Sequence, residues 1–171
     1  MANLIDELAE VLLKENAEYE ELIGLSTEKT SIIVKNDIEG LNNMVAKEQT
    51  VVDRINLLEK QRESVVSDIC KVLKVEPADL TVKILIDLLK KQPTEQAKLQ
   101  NAHSKLVITL DKMVKVNERN KMLMNEAVEM IEFEMNLLKG MRMAPETNNY
   151  NKSAYNATML DSARIEFDAK Q

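Results

Sequence analysis

Several residue types on which catalytic and metal sites depend are scarce in this chain. It has one histidine, His103, and one cysteine, Cys70, so neither an internal disulfide nor a Cys/His metal cluster can form. A di-iron carboxylate site in a helical bundle needs two Glu-x-x-His pairs, which a single histidine cannot supply. The three glycines are isolated, which excludes a glycine-rich phosphate loop. We therefore expect the protein to have no enzymatic activity, no cofactor and no metal site. Cys70 is expected to be a small buried hydrophobic residue.

Aromatic residues and long apolar runs are also few. Aromatic residues make up 3% of the chain and Trp is absent, whereas charged residues make up 30% and hydrophobic residues 44%. This composition is typical of long helices packed side by side and not of a sheet-based enzyme. No apolar run approaches the roughly 18 residues of a membrane span, and Asp6 and Glu7 stand where a signal peptide needs basic residues. With no disulfide, the expected location is the cytoplasm, without stable membrane insertion.

The chain also lacks an excess of basic residues, since its net charge is −6. Residues 1–34 contain eight acidic and two basic residues and carry the whole excess, which argues against nucleic-acid binding on that segment. One row of bases repeats every seven residues: Lys98, Lys105, Lys112 and Arg119. We expect this row to be a solvated flank that faces the acidic first helix; the alternative is a docking stripe for an acidic partner. No aromatic residue interleaves with it, so stacking platforms for single-stranded nucleic acid are absent.

Apolar residues recur every three or four positions from residue 37 to 75, which predicts a long coiled-coil helix. The predicted seam comprises Leu41, Met44, Val51, Ile55, Leu58, Val65, Ile69 and Val72. Glu48 and Arg62 interrupt this seam. Polar residues at a few seam positions usually set the register of paired helices and carry no chemistry.

A tight turn is expected before this helix, with Asn36 or Asp37 as its N-cap. In an antiparallel pair with so short a connection, facing residues would have numbers that sum to about 72. Arg62 would then face Glu10, and an ion pair between them would explain an arginine on the seam.

The remaining sequence predicts an all-α fold: an elongated antiparallel coiled-coil helical bundle with three long helices and one short helix. Pro77 is expected to end helix two, Asp79 or Thr81 to cap the short helix, and Pro93 and Gly140 to begin and end helix four. The predicted bundle spans residues 1–140, and its helices lie at about 3–34, 37–75, 80–91 and 93–139. Residues 141–171 are predicted to be a C-terminal segment that is flexible or bound to a partner.

Methionine is concentrated in the second half of helix four and just after it. The predicted apolar stripe of this helix comprises Leu99, Leu106, Leu110, Met113, Met124, Ile131 and Leu138, with Val107, Val114, Val128 and Met135 beside it. His103, Asn117 and Asn120 interrupt this stripe midway. Because the methionines follow the stripe, core positions are the favoured interpretation. The alternatives are an adaptable apolar surface, since Met repacks easily against varied partners, and copper(I) binding.

The C-terminal segment differs in composition from the rest. An asparagine-rich stretch with Tyr150 and Tyr155 is typical of a flexible linker, and the apolar residues after Thr158 would form at most a short helix. Such a helix is not stable alone, so its side chains need a partner: the bundle, a neighbouring copy or a client. The candidate partner-binding residues are Met135, Leu138, Met141, Met143, Tyr150, Tyr155, Met159, Leu160, Ile165 and Phe167.

Four features of the sequence occur in a recognisable order. They are Lys35-Asn36-Asp37-Ile38-Glu39-Gly40-Leu41 after an acidic helix, Glu48, Leu58-Glu59 with Arg62, and Leu80-Thr81. In these features, over about residues 1–140, the chain resembles the FlgN family of flagellar export chaperones. The resemblance implies a cytoplasmic, non-enzymatic protein that binds hook-associated proteins before export and delivers them to the membrane export gate. It also implies that the C-terminal region recognises the client and that a tail tyrosine, either Tyr150 or Tyr155, contributes to docking at the gate.

The expected mechanism is helix-in-groove capture, in which the Met-rich end of helix four and the tail bury the amphipathic terminal helices of a client. This would prevent the client helices from associating prematurely. One alternative is a structural coiled-coil adaptor whose seams are satisfied between chains, and self-association through the tail would fit it. The other is a helical-bundle metal carrier that binds copper(I) through methionine.

Overall fold

The computed structural model describes residues 2–143, and this part of the chain is an all-α bundle, as predicted. It contains α1 (Ala2–Val34), α2 (Ile38–Leu73), α3 (Val82–Leu88) and α4 (Pro93–Met143). Two 3-10 turns, Pro77–Asp79 and Leu89–Lys91, flank α3. The chain divides into two units, and the second begins at Val128. The division at residue 140 between bundle and tail stays a prediction.

A tight turn joins α1 to α2, as the sequence predicts. Asn36 adopts the left-handed conformation with φ 53°, and its N–H donates to the Ile33 carbonyl at 3.0 Å. Asparagine is one of the few residues that tolerate this conformation. Asp37 is the N-cap of α2, because its Oδ1 accepts from the Gly40 N–H at 2.9 Å. The cap satisfies one of the N–H groups that lack a partner at a helix start.

Helix α2 ends at Leu73, two residues before the predicted end at about residue 75, and its C-terminal cap comes before Pro77. Leu73 is the last helical residue, and Lys74 adopts the left-handed conformation with φ 57° as a C-terminal cap. Pro77 instead restricts Glu76 to an extended conformation and begins a 3-10 turn. Val72, predicted to lie on the seam, is in this last turn and is 55% exposed.

Two of the predicted boundaries of α3 and α4 are confirmed, and one is wrong. Thr81 is the N-cap of α3, since its Oγ1 accepts from the Ile84 N–H at 3.3 Å. Helix α4 begins at Pro93, where the missing N–H has no intrahelical role. It does not stop at Gly140 but continues to Met143. The left-handed glycine that such a stop requires is absent from the described part of the chain.

The core of the first unit has two apolar clusters. The larger joins α1, the end of α2, α3 and the start of α4, and it contains Ile5, Leu8, Ala9, Leu12, Val65, Ile69, Cys70, Leu80, Leu85, Ile86, Leu89, Leu99, Ala102 and Leu106. The smaller contains Leu22, Val51, Ile55 and Met113. Burial of each large side chain stabilises the fold by about 1.5–3 kcal/mol. Cys70 is buried, as predicted.

Helix α4 runs parallel to α1, a direction that the sequence left open. Three hydrogen bonds of 2.7 Å establish it: Lys98 to Asp6, Thr109 to Asn16, and Asn120 to the Ser26 carbonyl. Because these partners are 92 to 94 residues apart in sequence, the last residue of α1, Val34, corresponds to about residue 127 of α4. In this register α1 has no counterpart for later residues of α4.

The row of bases on α4 contacts the acidic helix at one end. Lys98 forms an exposed ion pair with Asp6 at 2.7 Å. Within residues 2–143 no ion pair joins Lys105, Lys112 or Arg119 to α1. The prediction that this row of bases faces α1 is therefore confirmed for Lys98. The alternative, a docking stripe for an acidic partner, stays a prediction.

Candidate partner-binding surface

Arg62, one of the two polar residues predicted on the α2 seam, pairs with α1 through Glu15. Its Nε donates to Glu15 Oε1 at 3.0 Å, whereas Glu10 pairs with Lys14 on its own helix. The predicted partner was wrong because helical side chains lean toward the N-terminus of their helix. In an antiparallel pair, the tips of two long side chains therefore meet when the sum of their residue numbers is larger than the sum for two residues whose backbones face each other. Burial raises the pKa of the Glu15 carboxyl, and the Arg62 guanidinium offsets this only in part.

Glu48, the other seam residue, belongs to a second polar layer. Its Oε1 accepts from Ser26 Oγ at 2.6 Å and its Oε2 from Lys29 Nζ at 2.7 Å. Asn120 of α4 joins this layer, because its Oδ1 accepts from Thr30 Oγ1 at 2.6 Å. Among the described residues, no buried side-chain nitrogen or oxygen lacks a hydrogen-bond partner. These groups satisfy one another, so the layer aligns the helices and leaves nothing for a ligand.

A groove of about 260 Å³ lies beside the Glu15–Arg62 pair, with walls on α1, α2 and α4. Arg62 already donates to both Glu15 and Glu59. His103 lines the groove, and burial lowers its pKa, with a further contribution from the charge of Lys83. The groove therefore holds a neutral imidazole beside an ion pair that is already complete, and we assign it no chemistry.

The α4 helix from Val128 to Met143 is exposed along its whole length. Nine of these sixteen residues are nevertheless large hydrophobic side chains, 43% to 85% exposed: Val128, Met130, Ile131, Phe133, Met135, Leu137, Leu138, Met141 and Met143. Apolar groups exposed together in this way mark interaction sites in proteins. We call this set of nine residues the α4 apolar surface.

The α4 apolar surface consists mainly of two stripes. The heptad stripe has steps of three, four and three residues: Val128, Ile131, Met135 and Leu138. The second stripe comprises Met130, Phe133, Leu137 and Met141. At 100° per residue, the two stripes lie about 135° apart around the helix, and Glu134 lies between them. One partner helix can cover one stripe, so the surface has room for two.

Four predicted partner-binding residues, Met135, Leu138, Met141 and Met143, lie on the α4 apolar surface. The other six, in the C-terminal segment, lie outside the described residues: Tyr150, Tyr155, Met159, Leu160, Ile165 and Phe167. The structure adds Phe133 and Leu137, which sequence reasoning missed. Because α1 has 33 residues and α4 has 51, a comparison of the two lengths would have indicated that part of α4 extends beyond α1.

The favoured core interpretation of the helix-four methionines was wrong for most of them. Met113 is 6% exposed and belongs to the smaller core cluster. Six others are at least 36% exposed: Met122, Met124, Met130, Met135, Met141 and Met143. The adaptable-surface interpretation fits these six. Four of them, Met130, Met135, Met141 and Met143, come after the residue of α4 that corresponds to the end of α1.

Two further properties concern residues 2–143 only. None of their helices has the length and apolar character required to cross a bilayer. They also contain no group of three or more His, Cys, Asp or Glu side chains arranged to hold a metal ion.

Comparison with known proteins decides the family. The FlgN protein family model matches residues 1–158. The chain belongs to the FlgN family. This is a family of non-enzymatic flagellar export chaperones, so the helical bundle and the α4 apolar surface belong to a chaperone.

A curated relative of this FlgN-family chain is the uncharacterized protein YvyG of Bacillus subtilis strain 168. The two are 27% identical over 154 residues, which cover 89% of each chain. The likeness therefore extends through α4 and is not confined to one helix. No solved structure matches the chain.

Proposed function

We propose that this chaperone binds hook-associated proteins in the cytoplasm, prevents their premature association and delivers them to the flagellar export gate. The client would bind to the α4 apolar surface and to the C-terminal residues Met159, Leu160, Ile165 and Phe167. The observation that supports this most is the α4 apolar surface itself, because nine large hydrophobic side chains are exposed together on one helix.

The energetics of the surface suit reversible capture. Micromolar to nanomolar affinity corresponds to about 8–12 kcal/mol. Burial of one large apolar side chain contributes about 1.5–3 kcal/mol, so a few anchors suffice once the costs of association and ordering are met. Methionine side chains adapt to helices of different shape, which suits a chaperone that must also release its client.

The recognition mode that fits this surface is helix packing. An amphipathic client helix would place side chains spaced three and four residues apart along one stripe of α4. Covering those side chains would keep the client helix from pairing with other copies of itself. A chaperone of this kind needs exposed apolar residues on a helix and no catalytic group.

Calorimetric titration tests the binding step with the full-length chain and a purified hook-associated protein from the same genome. Leu137→Asp places a charge in the second stripe, and we expect it to weaken binding at least about tenfold, or 1.4 kcal/mol. The matched control is Leu57→Asp on α2, because Leu57 is 63% and Leu137 51% exposed. If both variants bind the client equally well, or if the wild type does not bind it, the α4 apolar surface is not the client-binding site.

Delivery to the export gate needs a separate experiment. Tyr150→Ala and Tyr155→Ala are each compared with the wild type for secretion of the client and for client affinity. We expect one of them to reduce secretion while affinity is retained. Normal secretion by both variants would contradict a role of these tyrosines at the gate.

A further inference from the structure

We propose that the groove beside the Glu15–Arg62 pair is a second docking site, which accepts an amphipathic helix of a partner protein with basic residues beside its apolar stripe. The site lies in the first unit and shares no residue with the α4 apolar surface. The inference does not depend on which client the chaperone binds. It rests on the shape of the groove, its apolar walls and the charges at its rim.

The groove continues into a second cavity. The first cavity, of about 260 Å³, has walls on α1, α2 and α4. The second, of about 300 Å³, lies between α2 and the segment around α3, and its apolar lining includes Val66, Leu80 and Leu85. Arg62 and Val82 line both cavities, so the two are neighbours. A cavity of about 150 Å³ already holds benzene, so each has room for one large apolar side chain. We call the two cavities together the α2–α4 groove.

Packing at both ends bounds the α2–α4 groove. Met113 of α4 joins Val51 and Ile55 of α2 in the smaller core cluster, so the two helices meet at one end. At the other end Leu85 of α3 belongs to the larger cluster. Between these ends Arg62 reaches toward α1, and the space between α2 and α4 stays open.

The wall on α4 is mainly apolar. Val107 is large and hydrophobic but 49% exposed, and Leu110 beside it is half-buried, as is Tyr19 on the α1 side. The polar side chain on this wall is His103, whose pKa is lowered by burial, so the imidazole carries no charge near pH 7. A partner side chain that covers these residues removes apolar surface from water, which favours binding.

The rim on α2 is acidic. Arg62 donates to both Glu15 and Glu59, at 3.0 and 3.2 Å, so one positive charge faces two carboxyl groups. Glu63 is exposed and follows Glu59 by four residues, which places it on the same flank of α2. Within residues 2–143 Glu63 forms no ion pair. The positive charge of Lys83 acts on His103, on the side away from this rim. The α2 rim therefore favours a partner with Lys or Arg on the flank that faces α2.

An α-helix has the spacing that two neighbouring cavities require. Side chains four or seven residues apart on a helix are about 6 or 10.5 Å apart along its axis. A partner helix that lies along the α2–α4 groove would insert one large apolar side chain into each cavity and bring its basic flank to Glu59 and Glu63. Because two anchors make a weak contact, we expect a dissociation constant of about 10 to 500 µM.

Calorimetric titration with a synthetic peptide tests the site. The probe is an amphipathic helix of about 18 residues, with leucines three and four positions apart and lysines beside them. The protein is the full-length chain with Ile131→Lys and Leu137→Lys, which place a positive charge in each stripe of the α4 apolar surface and repel the peptide from it. We expect binding in the range given above. No binding at about 1 mM peptide would overturn the proposal.

A matched pair of substitutions in that chain locates the binding. Val107→Lys places a charge in the wall of the α2–α4 groove and should weaken peptide binding at least about tenfold. The control is Val72→Lys on α2, because Val72 is 55% and Val107 49% exposed. Circular dichroism checks that both variants stay folded. If the two variants bind the peptide equally well, the α2–α4 groove is not the docking site.

A second pair of substitutions tests the role of the rim charge. Glu63→Lys should weaken binding of the lysine peptide at least about threefold at 0.15 M salt, where charges more than about 8 Å apart are largely screened. The control, Glu28→Lys, makes the same change of net charge at an exposed position of α1 and should have little effect. Equal effects of the two substitutions would contradict recognition of a basic flank.

Paramagnetic NMR gives the position of the peptide without altering the groove. A nitroxide at one end of the lysine peptide should broaden the methyl signals of Val82 and Val107 more than those of Val72. Stronger broadening at Val72 would overturn the proposal. The client titration with Leu137→Asp uses another ligand and another surface, so either proposal can fail while the other stands.

Discussion

Arg62 and Glu15 form an ion pair across α1 and α2 in which the carboxylate is almost completely buried while the guanidinium still reaches water. The Arg62 side chain is 32% exposed and the Glu15 side chain is 5% exposed. Arg62 Nε and Glu15 Oε1 are 3.0 Å apart. A buried pair of this kind adds little net stability, since desolvation cancels most of the attraction. Removal of one partner is costly, because it leaves the other charge buried alone.

We therefore expect Arg62→Met to lower the free energy of unfolding by about 1–3 kcal/mol near pH 7. The pKa of Glu15 is raised in the folded state, so this group favours folding at acid pH and loses that contribution as pH rises through its folded pKa. Without Arg62 that pKa rises further, and Glu15 takes up a proton on mild acidification. The cost of Arg62→Met should thus shrink between about pH 7 and pH 5.

Urea unfolding at both pH values measures this effect. The control is Lys71→Met, because the pair of Lys71 with Asp68 is exposed and should contribute little at either pH. An Arg62→Met cost that is the same at both pH values would contradict the role assigned to Glu15.

Asn120 and Asn117 are the same residue type on the same helix and differ in burial, so one is a control for the other. Asn120 is 4% exposed, donates to the Ser26 carbonyl and accepts from Thr30, whereas Asn117 is exposed. We expect Asn120→Ala to lower the free energy of unfolding by about 1–3 kcal/mol and Asn117→Ala to change it by less than about 0.5 kcal/mol. Both substitutions change helix propensity equally, so the difference in urea unfolding reports the buried hydrogen bonds. Equal costs would show that Asn120 does not hold α4 to α1.

Gly24 and Gly40 should respond differently to alanine. A Cβ at Gly24 meets no atom within 4 Å, so Gly24→Ala should raise the free energy of unfolding by about 0.5–1 kcal/mol. A Cβ at Gly40 would collide with the carboxylate of Asp37 and displace the N-cap of α2. Loss of that cap costs about 0.5–2 kcal/mol and cancels the gain. Thermal unfolding followed by circular dichroism compares them, and an equal gain in both would show that the cap is dispensable.

Local sequence patterns predicted much of the fold. The heptads of α2, the N-caps Asp37 and Thr81, Pro93 at the start of α4 and the buried Cys70 each depend on a few neighbouring residues or on one helical period. Such features are encoded where they occur, and the structure confirms them.

The candidate surface was harder to predict, because burial depends on where neighbouring helices end. Ile131 and Leu138 are seven residues apart, as are Leu99 and Leu106, yet the first two are exposed and the last two are buried. The difference comes from α1, which ends at Val34 and runs parallel to α4. Neither the parallel direction nor the register of the two helices can be read from periodicity alone. Pairing of Arg62 with Glu15 depends on side-chain lean in the same way.

The most direct test of the account is hydrogen exchange of the full-length chain with and without a purified hook-associated protein. Amides from Val128 to Met143 should exchange rapidly in dilute free protein, because the other helices within residues 2–143 leave this part of α4 exposed. We predict that client binding slows their exchange markedly, while amides of the polar layers around Glu15 and Glu48 change little. Unchanged exchange from Val128 to Met143, with new protection on α1 or α2 instead, would contradict the account.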